Sequence, residues 1–132
     1  MIIVFMSLCF ITVVCLLGVY LSSRAKGNNS SDADEILNRG NAYYGKGDYE
    51  NAIKEYTRAI KINPKYALAY NNRGLAYAII GYYERAIADY SRAIEINPKY
   101  ADAYLGRGNA YAAIGDKERA IADYNRALEI NP

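Results

Sequence analysis

Two stretches of the chain are nearly the same: RAIKINPKYALAYNNRG at residues 58–74 and RAIEINPKYADAYLGRG at residues 92–108. A third copy begins at Arg126 with RALEINP. Each copy contains Asn-Pro, and the three prolines of the chain are spaced 34 residues apart. Self-similarity at a fixed period of this size predicts stacked structural units, none of which can bury its apolar side alone.

Each unit carries two stripes of small and aromatic residues. In the second unit, Gly74 and Tyr77 belong to the first stripe, Ala86 and Tyr90 belong to the second, and Gly81 lies between them. Spacings of three and four residues follow one face of a helix. A glycine after a helix supplies the left-handed backbone with which helices commonly end, and the residue before a proline is disfavoured in helical geometry. The unit is therefore predicted to be a helix, a tight turn and an antiparallel helix that ends at Asn-Pro.

The three units resemble tetratricopeptide repeats (TPRs), a family of 34-residue helix–turn–helix units with the pattern W-x2-L-G-x2-Y…A-x3-F…P. The resemblance covers residues 33–132, in units 33–66, 67–100 and 101–132 of a predicted domain at residues 32–132. It implies an all-α solenoid with a right-handed superhelix. Tyrosine stands where the second aromatic residue of the pattern is commonly Phe: Tyr56, Tyr90 and Tyr124. The Trp of the pattern is replaced by Ile36, Tyr70 and Tyr104, and its Leu by Arg39, Arg73 and Arg107.

The three arginines have acidic counterparts on the second helix of each unit. The pairs are Arg39 with Glu55, Arg73 with Asp89, and Arg107 with Asp123. A residue that recurs in every unit serves the repeat rather than one ligand. We therefore predict one ion pair within each repeat, of the modest strength typical of exposed pairs.

One stripe of the first helix varies between units that are otherwise alike. The second and third units differ at positions spaced i, i+3, i+4, i+7 and i+11, which follow one face of a helix. The resemblance to TPRs implies that this stripe lines a concave groove that holds a peptide or helix of a partner protein. The predicted groove residues are Leu37, Asn38, Asn41, Tyr44, Asn71, Asn72, Leu75, Ile79, Asp102, Leu105 and Asn109. The competing explanation is drift of an exposed surface without a function.

The groove chemistry indicates the kind of partner. Asparagine both donates and accepts hydrogen bonds, so it can pair with the backbone of an extended segment, while aliphatic side chains contact apolar anchors. Some TPR proteins that serve heat-shock chaperones hold a terminal carboxylate with a clamp of Lys, Arg and Asn. Asn41 and Asn72 match the asparagines of that clamp, but Leu37, Asp102 and Gly106 occupy its basic positions. A neutral or mildly basic segment is therefore expected.

Composition argues against catalysis and nucleic-acid binding. The chain has no histidine, and its formal net charge is only +2. Both cysteines, Cys9 and Cys15, lie among the first 21 residues. No nucleophile–base pair, carboxylate pair or metal-ligand cluster is apparent in the sequence. We therefore expect no enzyme activity, no cofactor, no metal site and no nucleic-acid partner.

Residues 1–21 contain no charged side chain. As a helix they would extend for about 31 Å, close to the thickness of a bilayer core. The segment predicts a transmembrane anchor, with a cleaved signal segment as the alternative, followed by a flexible polar linker at residues 22–31. Arg24 and Lys26 follow the span, which favours a single-pass membrane protein with cytoplasmic repeats. Export after signal cleavage is the alternative localisation.

Self-association is the alternative function. The last predicted helix carries Ile121, Tyr124 and Leu128 on one side, and the ends of a solenoid usually need a polar cap. A second copy that stacks on this helix would make the protein a homo-oligomer.

Overall fold

Within residues 2–132 the chain forms six helices that follow one another closely. The computed structural model describes the backbone of these residues, and the side chains of residues 12–19 and 29–132. The helices are α1 (Ile2–Gly45), α2 (Tyr49–Ile62), α3 (Ala67–Ile79), α4 (Tyr83–Ile96), α5 (Ala101–Ala113) and α6 (Lys117–Ile130). They pair as three hairpins, α1 with α2, α3 with α4 and α5 with α6. The predicted all-α solenoid of three helix–turn–helix units is confirmed.

The turn inside each hairpin requires glycine. Gly47, Gly81 and Gly115 have φ angles of 77°, 85° and 87°, in the left-handed region that residues with a Cβ rarely adopt. The second helix of a hairpin ends at the asparagine before proline: Asn63 and Asn97 have extended backbone. The two helix-end signals predicted from the sequence, glycine in the turn and asparagine before proline, are therefore confirmed.

A buried tyrosine and several alanines lie in the cores of the first two hairpins. Tyr56 and Tyr90 are only 1% and 2% exposed. A Cβ on Gly40 would lie 2.5 Å from the Tyr56 ring, so the missing side chain gives the ring its space. The helices approach closely because the facing residues are small, and the tyrosine ring fills the remaining volume.

The hairpins stack through consecutive helices. α2 packs on α3 and α4 packs on α5, while α1 contacts α3 and α3 contacts α5. Between residues 49 and 130, the second helices of the three hairpins make no contact with one another. The first helices are therefore closer together than the second helices, and the stack curves toward them. We call the surface formed by residues 32–45 of α1 together with α3 and α5 the inner face.

The predicted ion pairs form in all three repeats, and two of them are more buried than expected. Arg39 lies 2.7 Å from Glu55 and remains exposed. The Arg73 guanidinium donates two hydrogen bonds of 2.7 Å to Asp89, whose side chain is buried. It donates a third, of 3.0 Å, to the hydroxyl of Thr57 on the preceding hairpin.

The third repeat reproduces this arrangement. Arg107 donates two hydrogen bonds to Asp123 and one of 3.1 Å to the hydroxyl of Ser91. In the second and third repeats the arginine therefore joins its own hairpin to the one before it.

The segment 22–31, predicted as a flexible linker, is helical. α1 runs through it without interruption to Gly45. The segment contains no proline, and each residue added to an existing helix gains a backbone hydrogen bond, so a helix formed on both sides can continue across it.

The structure contradicts the predicted membrane localisation. Among the residues that it describes, no helix contains an apolar stretch long enough to cross a bilayer. The side chains of residues 1–11 and 20–28, which include most of the predicted anchor, lie outside the described residues. The predicted single-pass membrane localisation is therefore wrong, and the predicted anchor has no support among the described residues.

Candidate functional site on the inner face

The structure divides the eleven predicted groove residues into three groups by exposure. The exposed ones are Asn38, Asn41, Leu75, Ile79, Asp102, Leu105 and Asn109, the half-buried ones are Tyr44, Asn71 and Asn72, and Leu37 is buried. Exposed aliphatic side chains beside exposed amides are consistent with a binding surface, whereas a buried side chain is unavailable to a partner.

Leu37 is the clearest departure from the predicted site. It is 3% exposed and packs in the core cluster that contains Tyr56 and Ala69. Ala69 belongs to α3, so the second hairpin covers this position of the first. Leu37 therefore holds two repeats together and is removed from the candidate site.

Asn71, at the position of the second repeat that corresponds to Leu37, is also engaged within the molecule. Its amide nitrogen lies 3.4 Å from the Asn72 side-chain oxygen, and its own side-chain oxygen is buried without a hydrogen-bond partner. An unpaired buried carbonyl is destabilising. Because its side-chain oxygen is buried, Asn71 offers a partner no side-chain acceptor.

A small cleft lies between α1 and α3. It encloses about 110 Å³ and is lined by Asn41, Tyr44, Tyr56, Asn72 and Leu75. The Asn41 side-chain oxygen accepts one hydrogen bond of 2.8 Å from the Tyr56 hydroxyl and one of 3.1 Å from the Asn72 amide. Because its oxygen is occupied in this way, the Asn41 amide nitrogen is left to donate to a ligand.

The third repeat orients an asparagine in the same way. The Tyr124 hydroxyl donates to the Asn109 side-chain oxygen at 2.7 Å, so the amide nitrogen of Asn109 is also left to donate. The corresponding position of the second repeat is Leu75, which is 40% exposed. The inner face therefore presents a donor, an apolar side chain and a second donor at equivalent positions of successive repeats.

The tyrosines that orient these asparagines were missed as functional residues in the sequence. Burial raises the pKa of Tyr56 to about 12, so its hydroxyl remains protonated and able to donate at neutral pH. The sequence did contain a signal for this role. Tyrosine replaces the phenylalanine common at this position, and of the two only tyrosine carries a hydroxyl group.

The inner face offers little to a carboxylate. The three positions where a clamp would need cations hold Leu37, Asp102 and Gly106, and Leu37 is buried. A Cβ on Gly106 would lie 2.5 Å from the Tyr90 ring, which leaves no room there for a basic side chain. Asp34 accepts a hydrogen bond of 2.5 Å from the Tyr66 hydroxyl. The local charge is therefore acidic rather than basic.

Two of the predicted residues belong to a different cleft. Asp102 and Leu105 line a space of about 300 Å³ together with Tyr124, Ala127 and Leu128 of α6. Leu105 corresponds to Leu37 and Asn71, but none of the helices that the structure describes packs on it. Its exposure therefore reflects the lack of a following hairpin among the described helices.

No metal site accompanies these clefts in the described part of the chain, where no group of three or more His, Cys, Asp or Glu residues is placed to hold an ion.

Comparison with known proteins agrees with the fold. Family models described as "TPR repeat" and "Tetratricopeptide repeat" match residues 40–81 and 77–115, and residues 101–132. Stress-induced-phosphoprotein 1 of Caenorhabditis elegans is 42% identical over 43 residues, which are 33% of this chain and 13% of that protein. Human serine/threonine-protein phosphatase 5 is 47% identical over 38 residues, 29% of this chain and 8% of that protein. The alignments thus cover only a small part of these curated relatives.

Solved TPR domains match over most of the chain. The second TPR of Spaghetti (RPAP3), bound to the HSP90 peptide SRMEEVD, is 35% identical with a TM-score of 0.77, over 79% of this chain and 96% of that one. The Arabidopsis OM64 TPR domain is 33% identical with a TM-score of 0.78, over 79% and 86%. The second TPR domain of human RPAP3, in complex with the HSP70 peptide SGPTIEEVD, is 35% identical with a TM-score of 0.76, over 79% and 87%. Together with the family models, these matches show that the chain belongs to the tetratricopeptide repeat family.

Proposed function

We propose that the protein is an interaction scaffold that binds an extended segment of a partner protein along its inner face. The observation that carries the proposal is the fixed orientation of two amides. Tyr56 and Tyr124 hold the side-chain oxygens of Asn41 and Asn109, so both amide nitrogens are available to donate, and Leu75 occupies the equivalent position between them.

The proposed ligand is extended because its backbone must be accessible. A segment without regular secondary structure presents unpaired carbonyl oxygens, which accept hydrogen bonds from asparagine amides whatever its side chains are. A helix has already used most of its carbonyls internally. Specificity would then come from one apolar side chain of the ligand in contact with Leu75 and Ile79, which are 40% and 46% exposed.

The proposed segment is neutral or mildly basic. Two of the solved TPR domains described above are complexes with peptides that end in Glu-Glu-Val-Asp. On the inner face of this chain, α1 carries Asp34 and α5 carries Asp102, and Gly106 is too closely packed to be replaced by a cation. Acidic side chains repel an acidic peptide and attract a basic one.

The test is a selection of peptides from a random library displayed against the full chain. Selected peptides are then titrated against the wild type, against the double variant Asn72→Ala/Leu75→Asp, and against Glu84→Ala. Glu84 is an exposed residue of α4, so its variant controls for non-specific surface effects.

We expect the selected peptides to be neutral or basic with one apolar anchor. Their affinity should fall about tenfold or more in the double variant and stay unchanged in Glu84→Ala. Equal affinity for the wild type and the double variant would overturn the inner face as the binding surface.

A further inference from the structure

Arg85, in the first turn of α4, has no counter-charge. Among the side chains that the structure describes, it is the one arginine without an ion pair. It is exposed, and it donates no hydrogen bond to any described residue. A hairpin lies on each side of α4, so the unpaired state of Arg85 does not arise from its position along the stack.

The neighbouring repeats show how the polar side chain at this position is otherwise satisfied. Arg119, the equivalent residue of the third repeat, donates from Nε to Asp116 at 2.5 Å. In the first repeat the equivalent Asn51 donates from its amide to Asp48 at 2.7 Å. Both aspartates are the N-caps of their helices, and in the second repeat the N-cap is Tyr82. Tyrosine has no carboxylate, so the acceptor that the other repeats provide is missing here.

Two aromatic rings hold the Arg85 guanidinium. Its Cζ lies 5.4 Å from the centre of the Tyr82 ring and 5.7 Å from the centre of the Tyr77 ring, within the range of cation–π contacts. The two rings also meet edge to face, with their centres 6.4 Å apart. A guanidinium that rests on aromatic faces keeps the N–H groups around its edge free to donate. The charge of Arg85 is therefore held in place but not neutralised.

The ligand that fits this arrangement is a carboxylate. The guanidinium presents a planar fork of donors that matches a carboxylate group, and Arg119 with Asp116 shows such a contact at the equivalent position. The exposed Glu84 beside Arg85 repels a doubly charged phosphate more strongly than a singly charged carboxylate. Tyr82 is 53% exposed, so its ring offers an apolar surface next to the charge.

We propose that Arg85 and Tyr82 form a second interaction site, which binds an aspartate or glutamate side chain of a partner protein. The partner's carboxylate takes the place at Arg85 that Asp116 takes at Arg119, and an adjacent apolar side chain of the partner contacts the Tyr82 ring. Neither Arg85 nor Tyr82 belongs to the inner face. The two sites also favour opposite charges, since the inner face carries acidic side chains.

The probe for this site is the capped dipeptide acetyl-Glu-Leu-amide, titrated into the full 132-residue chain with ¹⁵N-labelled arginine. The Nε–H signals in NMR spectra report on each arginine, and Arg85→Lys identifies the Arg85 signal by its loss. Acetyl-Gln-Leu-amide is the matched uncharged probe, and inorganic phosphate is the alternative anion. The Arg119 signal is an internal control, because Asp116 already occupies that guanidinium.

We expect the glutamate probe to shift the Arg85 signal saturably and to leave the Arg119 signal unchanged. The glutamine probe should bind about fivefold more weakly or less, because it cannot form the ion pair. Tighter binding of phosphate than of the glutamate probe would overturn the choice of a carboxylate. Equal responses of Arg85 and Arg119 would overturn the site itself.

Exchange of the N-cap residues gives matched variants. Tyr82→Asp supplies α4 with the cap that α2 and α6 already have, so the variant should fold, and its new carboxylate should pair with Arg85. The glutamate probe should then no longer shift the Arg85 signal. Asp116→Tyr is the reciprocal change, and it should make Arg119 respond to the probe. An unchanged Arg85 response in Tyr82→Asp would overturn the proposal.

The inner-face double variant Asn72→Ala/Leu75→Asp separates this site from the proposed function. We expect the Arg85 signal of that variant to respond to the glutamate probe as in the wild type. Loss of the response would assign the bound carboxylate to the inner face and overturn the second site.

Discussion

Arg73 and Asp89 form a two-point ion pair between α3 and α4, with both hydrogen bonds at 2.7 Å and the Asp89 side chain buried. The same guanidinium reaches Thr57 on the preceding hairpin, so one side chain joins three helices. Asp89 also holds the pKa of Arg73 above its usual value, by a hydrogen bond and by its charge, while burial of the guanidinium opposes that shift.

Asp89→Asn should therefore lower the free energy of unfolding by about 3 kcal/mol, because it leaves a partly buried guanidinium without its counter-charge. Urea denaturation followed by circular dichroism measures the change. Glu95→Gln is the matched control, since Glu95 pairs with Arg92 on the exposed surface, and we expect no measurable change there. If both variants lost the same amount of stability, burial of the Arg73–Asp89 pair would contribute nothing to the free energy of unfolding.

Gly40→Ala should destabilise the first hairpin. The added Cβ would lie 2.5 Å from a ring carbon of Tyr56, far inside van der Waals contact, so the buried ring would have to shift from its packed position. Overpacking of this kind costs about 1–3 kcal/mol, which outweighs the gain of at most about 1 kcal/mol in helix propensity.

Gly45→Ala, near the end of the same helix, provides the comparison. A Cβ there meets nothing within 4 Å, so we expect unchanged or slightly higher thermal stability. If the two alanine variants melt at the same temperature, the close approach at Gly40 is not a packing constraint.

Asn71→Leu should stabilise the protein by about 1 kcal/mol. The substitution removes a buried carbonyl oxygen that has no partner and places leucine where the first repeat has the buried Leu37. Thermal and urea unfolding measure the effect. The control is Asn38→Leu, at an exposed position, for which we expect little change. Destabilisation by Asn71→Leu would show that the amide makes an interaction that leucine cannot replace.

Stability should fall between about pH 10 and 12 because of Tyr56. Burial raises its pKa from 10.0 to about 12, so the unfolded chain loses this proton at lower pH than the folded one. The unfolded state is then favoured as the pH rises through this window, and the stabilisation is fully present below it. Urea midpoints measured from pH 8 to 12 should decline less steeply in Tyr56→Phe. An identical decline in that variant would mean that Tyr56 ionises at its ordinary pKa.

Acidic chaperone peptides should bind weakly to the inner face. Asp102 would repel SRMEEVD, the acidic peptide to which the second TPR of Spaghetti is bound, if that peptide bound along the proposed surface. Isothermal titration at low salt should show little heat with the wild type and about twofold to fivefold tighter binding with Asp102→Lys. Tight binding by the wild type would show that neither Asp102 nor the missing cations exclude a carboxylate.

The sequence was sufficient to predict the repeat, the hairpins and the ion pairs. The features that decided these predictions are local: glycine at positions of positive φ, Asn-Pro at helix ends and small residues opposite tyrosine. They recur every 34 residues, so the one sequence contains three copies of the same evidence. The segment 22–31, predicted as a flexible linker, is helical because its composition imposes no such local requirement on the backbone. Its composition is weak evidence against helix when both flanking segments are helical and no proline intervenes.

The candidate site was predicted less completely because exposure is not a local property. Leu37, Asn71 and Leu105 occupy the same position of the repeat, and their spacing places all three on one helix face. In the structure they are buried, half-buried and exposed, in that order. The pattern of the first helix could not distinguish these three environments.

The sequence by itself determined that this protein is a stack of helical hairpins, because backbone conformation and helix pairing depend on residues within one 34-residue unit. Only the tertiary structure decided which side chains of that unit remain available to a partner. The reason is that burial depends on the next hairpin: α3 covers Leu37, whereas none of the helices described packs on Leu105.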